Sequence, residues 1–263
     1  MSPILIRDAL RLLPALLSLV VFSACSGPAE QGVPAPDAAI TADGILADVI
    51  ALSADDKEGR APGTVGEERA VGYLIQRFKQ IGLQPGNPDG TYVQHVPLVA
   101  FTGRPTGWFD VKGQRMPLSY PDDWVAVSRQ GLPHVRVERS PLVFVGYGVV
   151  APEYDWDDFK GVDVTGKTLV MLAGDPPVSD PHDASRLDEA TFKGAAMTYY
   201  GRWTYKYEIA ARKGAAAVIL VHETGGAGYA FDVVRASWAR ENVGIDAPDE
   251  AARHAAIDSW ITQ

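Results

Sequence analysis

The chain has 263 residues, 46% of them hydrophobic and 22% charged, a balance that excludes a fibrous or wholly disordered polymer and allows one large domain or two small ones. Its formal net charge is −9, with no basic block and no interleaving of aromatic and basic residues along a strand, which argues against a nucleic-acid partner. The single cysteine excludes an internal disulfide.

The first 24 residues read as an export signal. Arg7 and Arg11 precede the apolar run "LLPALLSLVVFSA", which is too short and too soon interrupted for a membrane span. The run closes on Ser23 and Ala24 before Cys25. This resembles a bacterial lipobox, with Phe22 where leucine is more usual, and marks Cys25 as the lipidated N-terminus of the mature chain; a plain secretory signal with an inert cysteine is the alternative. The expected location is therefore export, with a lipid anchor in a bacterial membrane and the protein facing the periplasm. Losing Arg7, Arg11 and Asp8 with the signal moves the formal charge to −10. Residues 25–40, rich in Pro, Gly and Ala, read as a flexible tether.

Residues 41–53 place Ile45, Leu46, Val49, Ile50 and Leu52 at helical spacing behind a Thr or Asp cap. A loop with Gly59, Pro62, Gly63 and Gly66 leads into "EERAVGYLIQRFKQIG", whose Ala70, Val71, Leu74, Ile75, Phe78 and Ile81 share one face. Its acids come first and its bases last, as the helix dipole favours. From residue 91 the period shortens, and strands are predicted near 91–101, 107–112, 123–127, 134–138 and 142–150. Thr168–Ala173 reads as a buried strand and "AAAVILV" as another, with a helix between, which predicts a parallel pair joined by a right-handed crossover. The 174–197 stretch between strand and helix is long for a connection and leans toward a functional loop. The tail "DAPDEAARHAAIDSWITQ" carries a helical apolar pattern through Ile257 and Ile261, and a helix running to Gln263 implies a sequence that continues beyond it.

The crossover helix, wheeled at 100° per residue from Tyr199, gathers Tyr199, Tyr200, Trp203, Tyr207, Ala210 and Ala211 into one buried stripe. Arg202, Lys206, Glu208, Arg212 and Lys213 fall outside it. Tyr205 lies on the other face beside Arg202, so Arg202 and Tyr205 are the candidates for contact with a ligand cleft or another domain.

Catalytic motifs are sparse. His95, His134, His182, His222 and His254 stand in neither H-E-x-x-H nor H-x-D, and no three ligands share metal-like spacing. No G-x-S-x-G elbow occurs. His222 and Glu223 follow a strand, where ligands of open α/β sheets gather, but alternation sends their side chains to opposite faces. "HETGGAGY" lacks the ending of a phosphate loop and shows no helix start behind it. Asp55–Asp56 and Asp157–Asp158 read as turn and cap residues, and His182–Asp183 as solvated loop. No catalytic and no metal-binding residue is assigned.

Two stretches carry a resemblance. "LSADDKEGRAPGTVGEERAVGYLIQRFKQIGLQPGNPDGTY" resembles the opening of the co-catalytic di-zinc aminopeptidase family, whose relatives include glutamate carboxypeptidase and the non-catalytic transferrin receptor. "VFVGYGVVAPEYDWDDFKGVDVTGKTLVMLAGDPP" with "YKYEIAARKGAAAVILVHE" resembles the protease-associated domain inserted in many of them. The resemblance implies an α/β fold: an incomplete zinc-aminopeptidase-type α/β domain over 41–105, interrupted by a β-rich, α+β protease-associated insert over 106–245, with 246–263 beginning the return. It also implies an aminopeptidase acting on peptide substrates with two zinc ions. The family's metal ligands match no position here and are expected beyond residue 263, so this chain alone is expected to bind no zinc and to be inactive. The alternative is a non-catalytic, lipid-anchored binding module.

Overall fold

The computed structural model describes residues 40–247 and 249–263. The signal, the Cys25 lipobox and the tether lie outside the described residues. The chain divides into two compact units, Met1–Tyr92 and Val93–Gln263.

In the first unit, helix α1 (Ala42–Ser53) starts behind Thr41, whose hydroxyl accepts from Gly44 N at 3.0 Å. Helix α2 (Val65–Gln80) is capped by Thr64, which accepts from Glu67 N, while the Glu67 carboxylate reaches back to Gly63 N at 2.6 Å. Asp48 joins the helices by taking Arg77 Nε at 2.6 Å and Arg77 Nη2 at 3.1 Å, together with the Tyr73 hydroxyl. The bonds from Arg77, then Tyr73, hold the Asp48 carboxyl below its ordinary range. Gly66 permits the turn before α2 to pack, because a β-carbon there would stand 2.0 Å from the Lys57 carbonyl oxygen. The apolar stripe of α1 is exposed, with Ile45, Leu46, Val49 and Ile50 all more than half accessible.

The second unit is built on a five-stranded sheet of β4 (Trp124–Val127), β5 (Leu142–Phe144), β8 (Thr168–Leu172), β9 (Ala217–His222) and β11 (Ile257–Thr262), in the spatial order β4-β11-β9-β8-β5. β4 runs antiparallel to β11 and the other pairs are parallel. The fold is therefore α/β with a parallel-containing sheet. Three small antiparallel pairs surround it: β1 (Leu98–Phe101) with β10 (Asn242–Ile245), β2 (Trp108–Val111) with β3 (Gln114–Pro117), and β6 (Val150–Ala151) with β7 (Trp156–Asp157). Helix α3 (Trp203–Arg212) links β8 to β9. The short α4 (Thr224–Ala227) and α5 (Phe231–Trp238) follow β9.

The parallel strands β5, β8, β9 and β11 step across the sheet in chain order, so right-handed crossovers place their helices on one face. That face is closed. Val125, Leu169, Met171, Val218, Leu220 and Trp260 form one core with Tyr207 and Ala210 of α3 and Val234 of α5. Fully burying such side chains contributes about 1.5–3 kcal/mol each. The opposite face stays partly open at β5, where Leu142 is 49% and Phe144 63% exposed.

Several expectations are corrected. The tail is a strand rather than a helix: Ile257 and Ile261 are four apart, a spacing that satisfies a helix face and a strand face alike, and β11 pairs on both sides. Residues 134–138 form no strand, the 142–150 run breaks after Phe144, and β3 was not anticipated. The crossover helix begins at Trp203 rather than Tyr199, so Tyr199 and Tyr200 precede it and have no place on its wheel. Its buried residues are Tyr205, Lys206, Tyr207, Ile209 and Ala210. Tyr205 is thus in the core and not on an outer face, whereas Tyr199 and Trp203 are 53% and 42% exposed.

Candidate functional site

The polar groups of the second unit concentrate on either side of α3. On one side lies the carboxyl edge of the parallel strands. Lys206 is fully buried, and its ammonium donates to the carbonyls of Tyr147 at 2.6 Å and Gly174 at 2.9 Å, tying the segments that leave β5 and β8 to the helix. Gly148 makes the first segment possible: at φ 62° it passes so close to Met171 that a β-carbon would meet the thioether sulfur at 2.2 Å. Burial lowers the Lys206 amine to about 8, against a smaller opposing pull from Asp175 and Asp158. The Tyr147 phenol is raised by burial, then by Glu223 and Asp158.

The neighbouring carboxylates are committed to the backbone. Asp158 accepts from Val149 N and Trp156 Nε1, both at 2.9 Å, and Asp175 takes Thr198 N at 2.7 Å and the Thr198 hydroxyl at 2.6 Å. His222 ends β9 fully buried against Tyr229, Phe231 and Trp260. Neither ring nitrogen has a hydrogen-bond partner, and burial holds its pKa below the ordinary value, so the ring is neutral. The Tyr229 backbone lies near enough to favour the proton slightly but outside bonding geometry. Glu223 is exposed. Lys206, Asp158 and Asp175 are the groups that fasten loops to the sheet edge.

On the other side of α3 runs a groove of about 430 Å³, lined by Val150, Pro152, Tyr199, Tyr200, Tyr205, Glu208, Ile209 and Arg212. Its aromatic walls meet edge to face: Tyr205 stands 5.8 Å from Tyr199 and 5.1 Å from Tyr200, at 76° and 87°. The Tyr205 hydroxyl accepts from Val150 N at 3.0 Å, which fixes the floor. Tyr199 donates to both Glu208 oxygens at 2.7 Å, and Tyr200 donates to Glu153 at 2.7 Å. That last bond, ahead of burial, raises the Tyr200 phenol to about 12, so it remains a donor at any physiological pH. Arg212 is exposed and lies over the Tyr205 ring at 5.9 Å.

Of the two residues singled out from sequence, Tyr205 enters the site as its floor, and Arg202 is exposed at the N-cap of α3 without lining the groove. Lys206 escaped sequence reasoning because a lysine outside the apolar stripe reads as solvated. Asp157 and Asp158 do act as turn acceptors, and His182 sits exposed in a turn held by Asp180. The glycine-rich "HETGGAGY" does contain a helical turn, α4, of only four residues. Among the described residues no three His, Cys, Asp or Glu side chains gather at metal-binding reach, and no helix is long and apolar enough to cross a membrane.

No family model matches the chain, and no curated protein matches it. Among solved structures it is similar to an aminopeptidase from Aneurinibacillus sp. strain AM-1, at 17% identity and a TM-score of 0.28 over 82% of this chain. The chain spans 38% of that aminopeptidase's length.

Proposed function

We propose that these residues form the N-terminal part of an exported, lipid-anchored zinc aminopeptidase, in which residues 106–245, within the second unit, are a protease-associated insert that flanks the path of peptide substrates. The observation that carries this reading is the order and form of the two resembling stretches. The first runs from Leu52 through α2 to Tyr92, and the second, over 143–177 and 205–223, makes β8, most of α3 and β9. The residues described here do not fit a zinc pair, since no ligand set gathers among them. Two zinc ions, held by residues outside this chain, would supply the attacking water. The contribution of this chain is binding and positioning.

The test compares the 263-residue chain with the product of the same reading frame extended past codon 263. The extended product should bind zinc and hydrolyse aminoacyl-anilides, and the 263-residue chain should do neither. Two tightly held zinc ions on the shorter chain, or a reading frame that stops, would overturn the reading. The second outcome favours a stand-alone binding lipoprotein that uses the same groove.

A further inference from the structure

We propose that the groove beside α3 binds the C-terminal carboxylate of a peptide ending in an apolar residue, with Arg212 as its anchor. The argument starts from which polar groups of the groove are already engaged. The hydroxyls of Tyr199 and Tyr200 donate to Glu208 and Glu153, and that of Tyr205 accepts from Val150 N and donates to Val150 O at 3.4 Å. Glu208 and Arg212 stand one turn apart on α3, the spacing of a helical ion pair. Yet both Glu208 oxygens are turned onto Tyr199, and no carboxylate oxygen lies within 4.0 Å of the Arg212 guanidinium among the described residues. The guanidinium carbon stands 5.9 Å from the Tyr205 ring centroid instead, at the outer reach of a cation–π contact.

A planar five-donor fork with no carboxylate partner of its own among the described residues is suited to a ligand carboxylate, which it can take through two parallel hydrogen bonds. The remaining lining of Val150, Pro152, Ile209 and the tyrosine rings offers an apolar surface beside that fork. At about 430 Å³ the groove has the size of a small-ligand cleft, for which roughly 300–1,000 Å³ is usual. An apolar side chain next to a carboxylate is the chemistry of a peptide's last residue. The inference shares with the preceding section only that this unit meets peptides, and it is tested by binding rather than hydrolysis, so either reading can fail alone.

The experiment titrates the 263-residue chain with N-acetyl-Ala-Ala-Leu as the free acid and as its C-terminal amide, followed by calorimetry. The acid should bind saturably and the amide at least about tenfold more weakly. The Arg212→Gln variant, altered at an exposed site, should lose the preference for the acid, while Glu208→Gln should bind it no less tightly. An absence of saturable binding, equal binding of acid and amide, or an unaffected Arg212→Gln variant would each overturn the proposal. So would an amidated peptide with an internal glutamate that binds as tightly as the free acid, because it would assign the carboxylate to a side chain.

Discussion

Lys206 predicts an unusual dependence of stability on pH. Its amine titrates near 8 in the folded chain and near 10.5 in a solvated one. Below pH 8 both states carry the proton, and folding bears the whole cost of burying the charge. Between about 8 and 10.5 the folded side chain is neutral while the unfolded one is still protonated. The unfolded state then binds more protons, so stability rises with pH. The full window corresponds to about 3 kcal/mol, of which about 2 kcal/mol should appear between pH 7 and 9.5. Above that range the tyrosines reverse the trend, because Tyr147, Tyr205 and Tyr207 are all raised by burial and resist ionisation in the folded state. Urea unfolding followed by tryptophan fluorescence isolates the effect, since all six tryptophans lie in the second unit. The decisive variant is Lys206→Met, which should abolish the slope whatever it does to stability at pH 7. A wild-type stability that is flat or falling from pH 7 to 9.5, or an equal slope in Lys206→Met, would refute the reasoning.

Two further outcomes are expected. Gly66→Ala forces a β-carbon to 2.0 Å from the Lys57 carbonyl, so the turn before α2 must shift, at a cost of about 1–3 kcal/mol; thermal unfolding followed by far-UV circular dichroism should show a lower midpoint for the helical unit. Cys25→Ala should abolish fatty-acid labelling and membrane association in the exporting cell, and unchanged labelling would remove the lipobox reading.

The sequence made the helices of the first unit legible because each keeps a sustained period, the first behind its Thr41 cap and the second with its acids first and bases last, although that helix starts at Val65, within the stretch read as loop. The β8–α3–β9 order was legible for a similar reason, since "LVML" and "AVILV" are short apolar runs, the second rich in β-branched residues, of the kind buried parallel strands carry. What failed depended on context beyond the local pattern. Residues 257–262 could be told from a helix only by their two strand neighbours, and α3 is buried on a wider arc than an amphipathic surface helix because the β6 segment covers the side where Tyr205 lies. The groove was half legible: the aromatic cluster marked its place, but the diversion of Glu208 onto Tyr199, which leaves Arg212 without an ion pair, depends on a turn that no spacing rule encodes.

The position of β11 bears on how the second unit is made. It lies between β4 and β9, so β4 waits about 130 residues for the neighbour that closes it into the sheet. During synthesis, β5, β8 and β9 can assemble as a local parallel layer while Trp124 and Val125 remain unshielded beside it. Trp124 and Val125 therefore gain their strand partners only once Ile261 and Trp260 of β11 have been made.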